Sequence, residues 1–147
     1  MRVIVQRSLN SSVTVNNKVV GKIDNGLVVL VGFTYGDNED KIDYIVNKLI
    51  NLRIFDDEFG VMNKSLLDVG GSILSISQFT LYADTKKGRR PSYIKALKSE
   101  DAIPLYDLFN KKLKEQNINV ETGIFGAEML VNINNDGPIT IMLESEE

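Results

Sequence analysis

The sequence predicts an α/β domain: a mostly antiparallel, barrel-like β-sheet covered by two helices. Three observations carry that prediction. Runs of β-branched and aliphatic residues recur along the chain, and the early ones are separated by short turn signals. Two stretches instead place apolar residues at helical spacing. A length of 147 residues with 43% hydrophobic content suits one domain, spanning 1–147, with a full core.

The elements follow in order. Val3 to Gln6 reads as a strand. Val13-Thr14-Val15 and Val19-Val20 flank Asn16-Asn17-Lys18, a hairpin signal. Ile23-Asp24-Asn25-Gly26-Leu27 contains Asn-Gly, a second short-loop hairpin signature. It leads into Leu27-Val28-Val29-Leu30-Val31, an unbroken apolar run that suits a central strand. Asp37 to Asp40 offer capping residues, and Ile42, Ile45, Val46, Leu49 and Ile50 follow at helical spacing, which predicts a helix from Glu39 to Asn51. Gly70-Gly71 precedes a strand from Ser72 to Thr80. Pro104 is expected in the first turn of a second helix, whose apolar face carries Leu105, Leu108, Phe109 and Leu113. Ile118 to Glu121 reads as strand, then a glycine-bearing loop, then strands Met129 to Ile133 and Ile139 to Leu143. The acidic tail Glu144-Ser145-Glu146-Glu147 is expected to fray.

Between the last two strands lies Asn134-Asn135-Asp136-Gly137-Pro138. Proline cannot donate to a ladder and makes a cis peptide accessible. Glycine admits another backbone or a ligand at close range. On local rules alone this is a tight hairpin turn; a functional turn is the competing reading.

Composition excludes whole classes of chemistry. The chain has no cysteine and no histidine. Disulfides, Cys/His zinc sites, thiol nucleophiles and any histidine general base are therefore impossible. Backbone amides, hydroxyls, carboxylates, lysines or a group on the substrate must suffice. Asp56-Asp57-Glu58 with Gly60 is the best candidate for an all-carboxylate metal site, but reads better as a solvated turn between Phe55 and Val61. No metal or cofactor is expected. The net charge of −3 provides no global attraction for nucleic acid, so local charge matters more. Lys86-Lys87-Gly88-Arg89-Arg90 is a compact basic loop suited to phosphate contact. Lys111, Lys112 and Lys114 instead suit a helix C-terminus. No apolar run is long enough to span a bilayer, and the N-terminus enters Val3-Ile4-Val5 without a signal-peptide pattern, so a cytoplasmic location is expected.

Ser75-Ile76-Ser77-Gln78-Phe79-Thr80-Leu81 gathers hydroxyls and one amide at the end of a predicted strand. Together with Asn135-Asp136-Gly137-Pro138-Ile139-Thr140 it resembles the two signatures of the D-aminoacyl-tRNA deacylase family, Ser-Gln-Phe-Thr-Leu and Asn-x-Gly-Pro-x-Thr. Gln6-Arg7, Arg53-Ile54-Phe55, Ser65 to Gly71, Lys87 to Ser92 and Gly123 to Ala127 extend the resemblance along the chain.

The resemblance implies a hydrolase acting on the ester between a D-amino acid and the 3′-terminal ribose of tRNA, in a homodimer. It implies catalytic roles for Ser77, Gln78, Phe79 and Thr80. The amides of Phe79 and Thr80 are candidates for stabilising an oxyanion, and the Phe79 ring for packing on the terminal adenosine. Thr80 either orders a water or attacks as nucleophile, and the ribose 2′-hydroxyl is a third candidate for activating the ester. Such an ester is labile enough for positioning to contribute most of the catalysis. The resemblance also implies a cis bond between Gly137 and Pro138, with that turn entering the partner's site. Its carbonyls hold the substrate ammonium and exclude an L side chain, which leaves glycyl-tRNA a substrate. Arg7, Asn135 and Met129 are implied as supporting residues, and Lys86, Lys87, Arg89 and Arg90 as tRNA contacts. A non-catalytic tRNA-binding module and a small-metabolite hydrolase remain alternatives.

Overall fold

The computed structural model describes residues 1–145. Its backbone is a long antiparallel hairpin, β1 (Arg2–Val15) and β2 (Lys18–Gly32), to which everything else is added. Asn16 and Asn17 make the turn at φ 49° and 63°, a left-handed pair that asparagine tolerates. The remaining elements are α1 (Glu39–Asn51), β3 (Phe55–Asp56), β4 (Met62–Lys64), α2 (Leu66–Val69), β5 (Ser72–Ser77), a 3₁₀ turn (Phe79–Tyr82), α3 (Ser99–Glu115), β6 (Val120–Thr122), β7 (Leu130–Asn132) and β8 (Asn135–Glu144). The main sheet runs β6-β5-β2-β1-β7, with β8 also on β1. β1 pairs antiparallel with β2, β7 and β8, whereas β5 lies parallel to β2 and β6 parallel to β5. The mixed, mostly antiparallel fold is the one the sequence predicts.

Both faces of the sheet are covered over part of its area, which explains the apolar run of β2. Leu27, Val29 and Val31 face α1 and α3, in a core with Ile42, Ile45, Leu49, Phe109 and Leu113. Val28 lies in a second cluster with Val13, Ile23, Leu74 and Ile76. Helix α1 keeps its predicted bounds because Asn38 caps it, accepting from Lys41 N–H at 3.1 Å. Lys112 of α3 ties the two helices together through Glu39 at 2.9 Å and Asp43 at 2.5 Å. Among the described residues, no helix is long and apolar enough to cross a membrane.

Several expectations change. Asn25-Gly26 is not a hairpin: β2 runs straight through it, since pairing with β1 and β5 on both sides overrides the local turn signal. The strand from Ser72 ends at Ser77, and Phe79 to Tyr82 form the 3₁₀ turn. Pro104 lies in the second turn of α3, which starts at Ser99. The strand predicted over Ile118 to Glu121 is Val120–Thr122. A third, single-turn helix, α2, was not anticipated; Ser65 and Asp68 close it with a reciprocal capping box. β7 and β8 do not form a hairpin with each other but pair with different stretches of β1, Ser12–Thr14 and Arg2–Ser8. Of the tail, Glu144 pairs with Arg2 at 2.7 Å and Ser145 N–H donates to Met1 O at 3.0 Å, so these two do not fray. Glu146 and Glu147 lie outside the described residues.

Asp57 forms the expected turn between β3 and β4. Its carboxylate accepts from Phe59 N–H at 2.9 Å and Val61 N–H at 3.0 Å. The backbone donor of Val61, then that of Phe59, holds its pKa below 3.8. The folded hairpin therefore binds this proton less readily than the unfolded chain. Its stabilisation is complete above pH 3.8 and is lost as pH falls through the lower folded value. Amide exchange at Val61, corrected for its intrinsic pH dependence, should accelerate over that acidic window and not between pH 5 and 8; equal protection throughout would refute the assignment. Among the described residues, no cluster of three or more acidic side chains is gathered for a metal.

Candidate active site

The strand β5 carries the hydroxyl-rich motif to the edge of a cavity. Ser77 is its last residue, opposite Val31, and the next amide, Gln78 N–H, donates to Val31 O at 2.7 Å. The chain then leaves the sheet. Leu81 N–H closes the 3₁₀ turn on Gln78 O at 3.3 Å. The first amides of such a turn have no partner within it. Those of Phe79 and Thr80 accordingly have no acceptor among the described residues. The Gln78 side-chain amide donates to Thr80 Oγ1, which fixes both polar ends.

Beside this turn opens a cavity of about 580 Å³. Ser77, Gln78 and Phe79 form one wall, and Phe125, Met129 and Tyr93 contribute to the others. The exposed Phe79 ring meets Tyr93 edge-on, with centroids 5.1 Å apart. Behind the wall, Tyr106 of α3 donates its hydroxyl to Ser75 O at 2.8 Å and packs 5.8 Å from Phe125. Burial pushes the Tyr106 phenol up, so it stays neutral and serves as a donor. Asp84 and Ser92, the latter next in sequence to Tyr93 of the cavity lining, exchange two backbone hydrogen bonds of 2.8 Å and close the base of the basic loop. Lys86, Lys87, Arg89 and Arg90 all stand exposed on it.

A second cluster centres on Arg7. Strand alternation puts Arg7 on the buried face of β1 with Val3 and Val5, at the point where the register with β8 breaks between Gln6 and Ser8. Its Nε donates to Asp136 O at 3.3 Å and sits 3.2 Å from the Asp136 carboxylate. Its other arm donates to Ile54 O at 2.9 Å. Next to Asp136, the Gly137-Pro138 bond is cis and both residues are exposed. Asn135 braces the turn, accepting from Ile139 N–H at 3.1 Å and donating to Thr140 Oγ1 at 3.0 Å.

The family model described as D-Tyr-tRNA(Tyr) deacylase matches residues 4–144. A D-aminoacyl-tRNA deacylase of Brevibacillus brevis is 57% identical over 145 residues, covering 99% of this chain and 100% of its own. One of Thermus aquaticus is 53% identical over 147 residues, covering 100% of this chain and 97% of its own. The chain belongs to the D-Tyr-tRNA(Tyr) deacylase family. Among solved structures, the c-Myc DNA Unwinding Element Binding Protein superposes with a TM-score of 0.94 at 38% identity, over 100% of both chains. A probable eukaryotic D-amino acid tRNA deacylase shares the fold, with a TM-score of 0.81 at 21% identity over 97% of each chain.

Within this deacylase-family frame, the fold brings Ser77, Gln78, Phe79 and Met129 together around one cavity. Thr80 lies outside the lining and joins it through Gln78. Gly137 and Pro138 do not line the cavity of their own chain. Arg7 and Asn135 hold that turn and not the cavity. Sequence reasoning missed Tyr93 and Tyr106. Tyr106 sits between Leu105 and Phe109 on the predicted apolar helix face, and an aromatic there signals only core.

Proposed function

We propose that this chain hydrolyses the ester between a D-amino acid and the 3′-terminal ribose of tRNA, and spares the L-form. Full-length membership of the deacylase family carries the reading. Water adds to the ester carbonyl, the ribose oxygen leaves as a hydroxyl, and the amino acid departs as a carboxylate. The amide donors of Phe79 and Thr80 are left free by the 3₁₀ turn and are the groups available to the developing oxyanion. The Phe79–Tyr93 pair at the rim offers aromatic surface to the terminal adenosine. Lys86, Lys87, Arg89 and Arg90 take the tRNA backbone by charge alone. Turnover of one tRNA charged with either enantiomer tests the reading. Hydrolysis of the D-form and not the L-form is expected; equal rates would defeat it. Rapid turnover of free D-amino-acid esters would point to a small-metabolite hydrolase.

The working unit of this proposal is a homodimer in the cytoplasm. Gly137 and Pro138 are exposed and away from their own cavity, which suits entry into a partner's. The sheet also leaves Leu130 and Met142 uncovered. In the partner's site, the turn's carbonyls hold the substrate ammonium and block an L side chain. Glycyl-tRNA has no side chain to block and is hydrolysed too.

Thr80 takes the role of ordering water, because among the described residues no base stands within its hydrogen bonds and its hydroxyl meets the Gln78 amide. Thr80→Ala should therefore retain activity, with a loss on the order of 10²-fold or less. A trapped acyl-enzyme on Thr80 would reverse that assignment.

A further inference from the structure

The 3₁₀ turn that carries the Phe79 and Thr80 amides is held at both ends. At its start, Gln78 N–H donates to Val31 O at 2.7 Å. At its end, the next donor that could continue the turn, Asp84 N–H, goes to Ser92 O instead of Leu81 O. That leaves the Leu81 carbonyl without a backbone partner among the described residues. Arg2 of β1 supplies one: its Nη1 donates to Leu81 O at 2.9 Å, across 79 positions of sequence.

The sheet explains why the guanidinium stands there. Arg2 is the middle of a cross-strand row, opposite Gly32 of β2 and Glu144 of β8. Residues directly opposite share a face of the sheet. Glu144 therefore stands beside Arg2 and takes its Nε at 2.7 Å. Gly32, on the other side, makes room for the turn: a Cβ there would lie 2.8 Å from Gln78 O and 3.1 Å from Leu81 Cβ. The buried Tyr82 ring lies under the guanidinium, its centroid 4.6 Å from Cζ. A carboxylate, a ring face and a carbonyl thus hold one planar group from three sides, an arrangement that a lysine ammonium cannot copy.

Between the two tethers lie only Phe79 and Thr80. Donors with no acceptor of their own are aimed by whatever grips the residues on either side. Arg2 does not line the cavity, so its influence on the site runs through the turn.

We propose that Arg2 is a positioning residue of the ester-hydrolysing site: through Leu81 O it fixes the far end of the 3₁₀ turn and so aims the Phe79 and Thr80 amides. The inference rests on the deacylase reading above and adds to it a residue that neither motif contains.

Arg2→Met keeps an unbranched side chain and removes the guanidinium. With one tRNA charged with a D-amino acid, kcat should fall about tenfold or more while KM stays within about twofold, since a misaimed donor is missed mainly in the transition state. Arg2→Lys should not restore the rate, and the salt dependence of KM should stay that of the unmodified protein. A raised KM with a shallower salt slope, restored by lysine, would make Arg2 a tRNA contact and overturn the proposal. A lowered melting temperature with unchanged kcat would make its role structural only, and overturn it equally. A second measurement needs no turnover. NMR relaxation of the full-length protein without substrate should show the Phe79 and Thr80 amide order parameters falling in Arg2→Met, from about 0.85 towards 0.6. Unchanged values overturn the tether even where the deacylase reading stands. Should the unmodified protein hydrolyse neither enantiomer, the deacylase reading fails instead, and the relaxation result alone decides the tether.

Discussion

Gly26→Ala should abolish folding. Gly26 sits within β2 at φ +151°, between Ser8 on β1 and Ser72 on β5. An added Cβ would meet Ser72 O at 1.8 Å and Ser72 N at 2.6 Å. Neither is the end of a flexible side chain that can swing away; both are backbone at the start of the strand that leads to Ser77. The parallel β2–β5 pairing must open to admit one methyl group. Strain of this kind belongs among the substitutions that cost more than about 4 kcal/mol, against a total stability of roughly 5–15 kcal/mol for a domain. Insoluble expression, or a denaturation midpoint collapsed at matched protein concentration, is expected. A loss below about 1 kcal/mol would show that β5 is free to shift, and would undercut the description of β2 as the fixed centre of the sheet.

Gly137→Ala should cost activity far more than stability. Gly137 stands exposed at φ +128°, and an added Cβ would lie 2.8 Å from Ile139 Cγ1 and 3.0 Å from Ile139 N. That amide is the one Asn135 holds through its side-chain oxygen. The turn must therefore shift. The conformational penalty is on the order of 1–3 kcal/mol, since no buried packing is lost. If the turn's carbonyls hold the substrate ammonium in the partner's site, a displacement near 1 Å costs about 10²-fold in rate. The D-rate should fall by that order and the margin over the L-substrate should narrow. Unchanged discrimination in a well-folded variant would remove this segment from the proposed site.

The outcomes for individual residues separate what was legible from what was not. Helix α1 was readable to the residue because its capping asparagine and its five buried aliphatics are local, lying within one short stretch. The Asp57 turn was readable for the same reason: its carboxylate and the amides it holds are neighbours in sequence. Asn25-Gly26 misled because its turn chemistry is also local, whereas the strands that pin it arrive from Ser8 and Ser72. The end of β5 was misplaced by similar logic. Nothing local in Ser72 to Thr80 marks where the strand stops, but pairing with β2 stops at Ser77. In the proposed site that difference matters, because an amide committed to a ladder is unavailable to a substrate.

By itself the sequence determined the class of chemistry. Without cysteine or histidine, and with two intact family motifs, it pointed to ester hydrolysis without a thiol or an imidazole. It also determined the local caps and turns, whose partners lie within a few residues. Only the tertiary structure decided that the two motifs are not neighbours within one chain: Gln78 lines the cavity, while Gly137 projects from it on the Arg7 cluster. Only the tertiary structure placed Tyr106 behind Ser75 and Tyr93 against Phe79. The physical reason is range. Capping and turn preferences are set by a residue's own backbone and its near neighbours, whereas strand pairing and cavity walls join residues tens of positions apart. The sequence lists those residues, and the fold decides which of them meet.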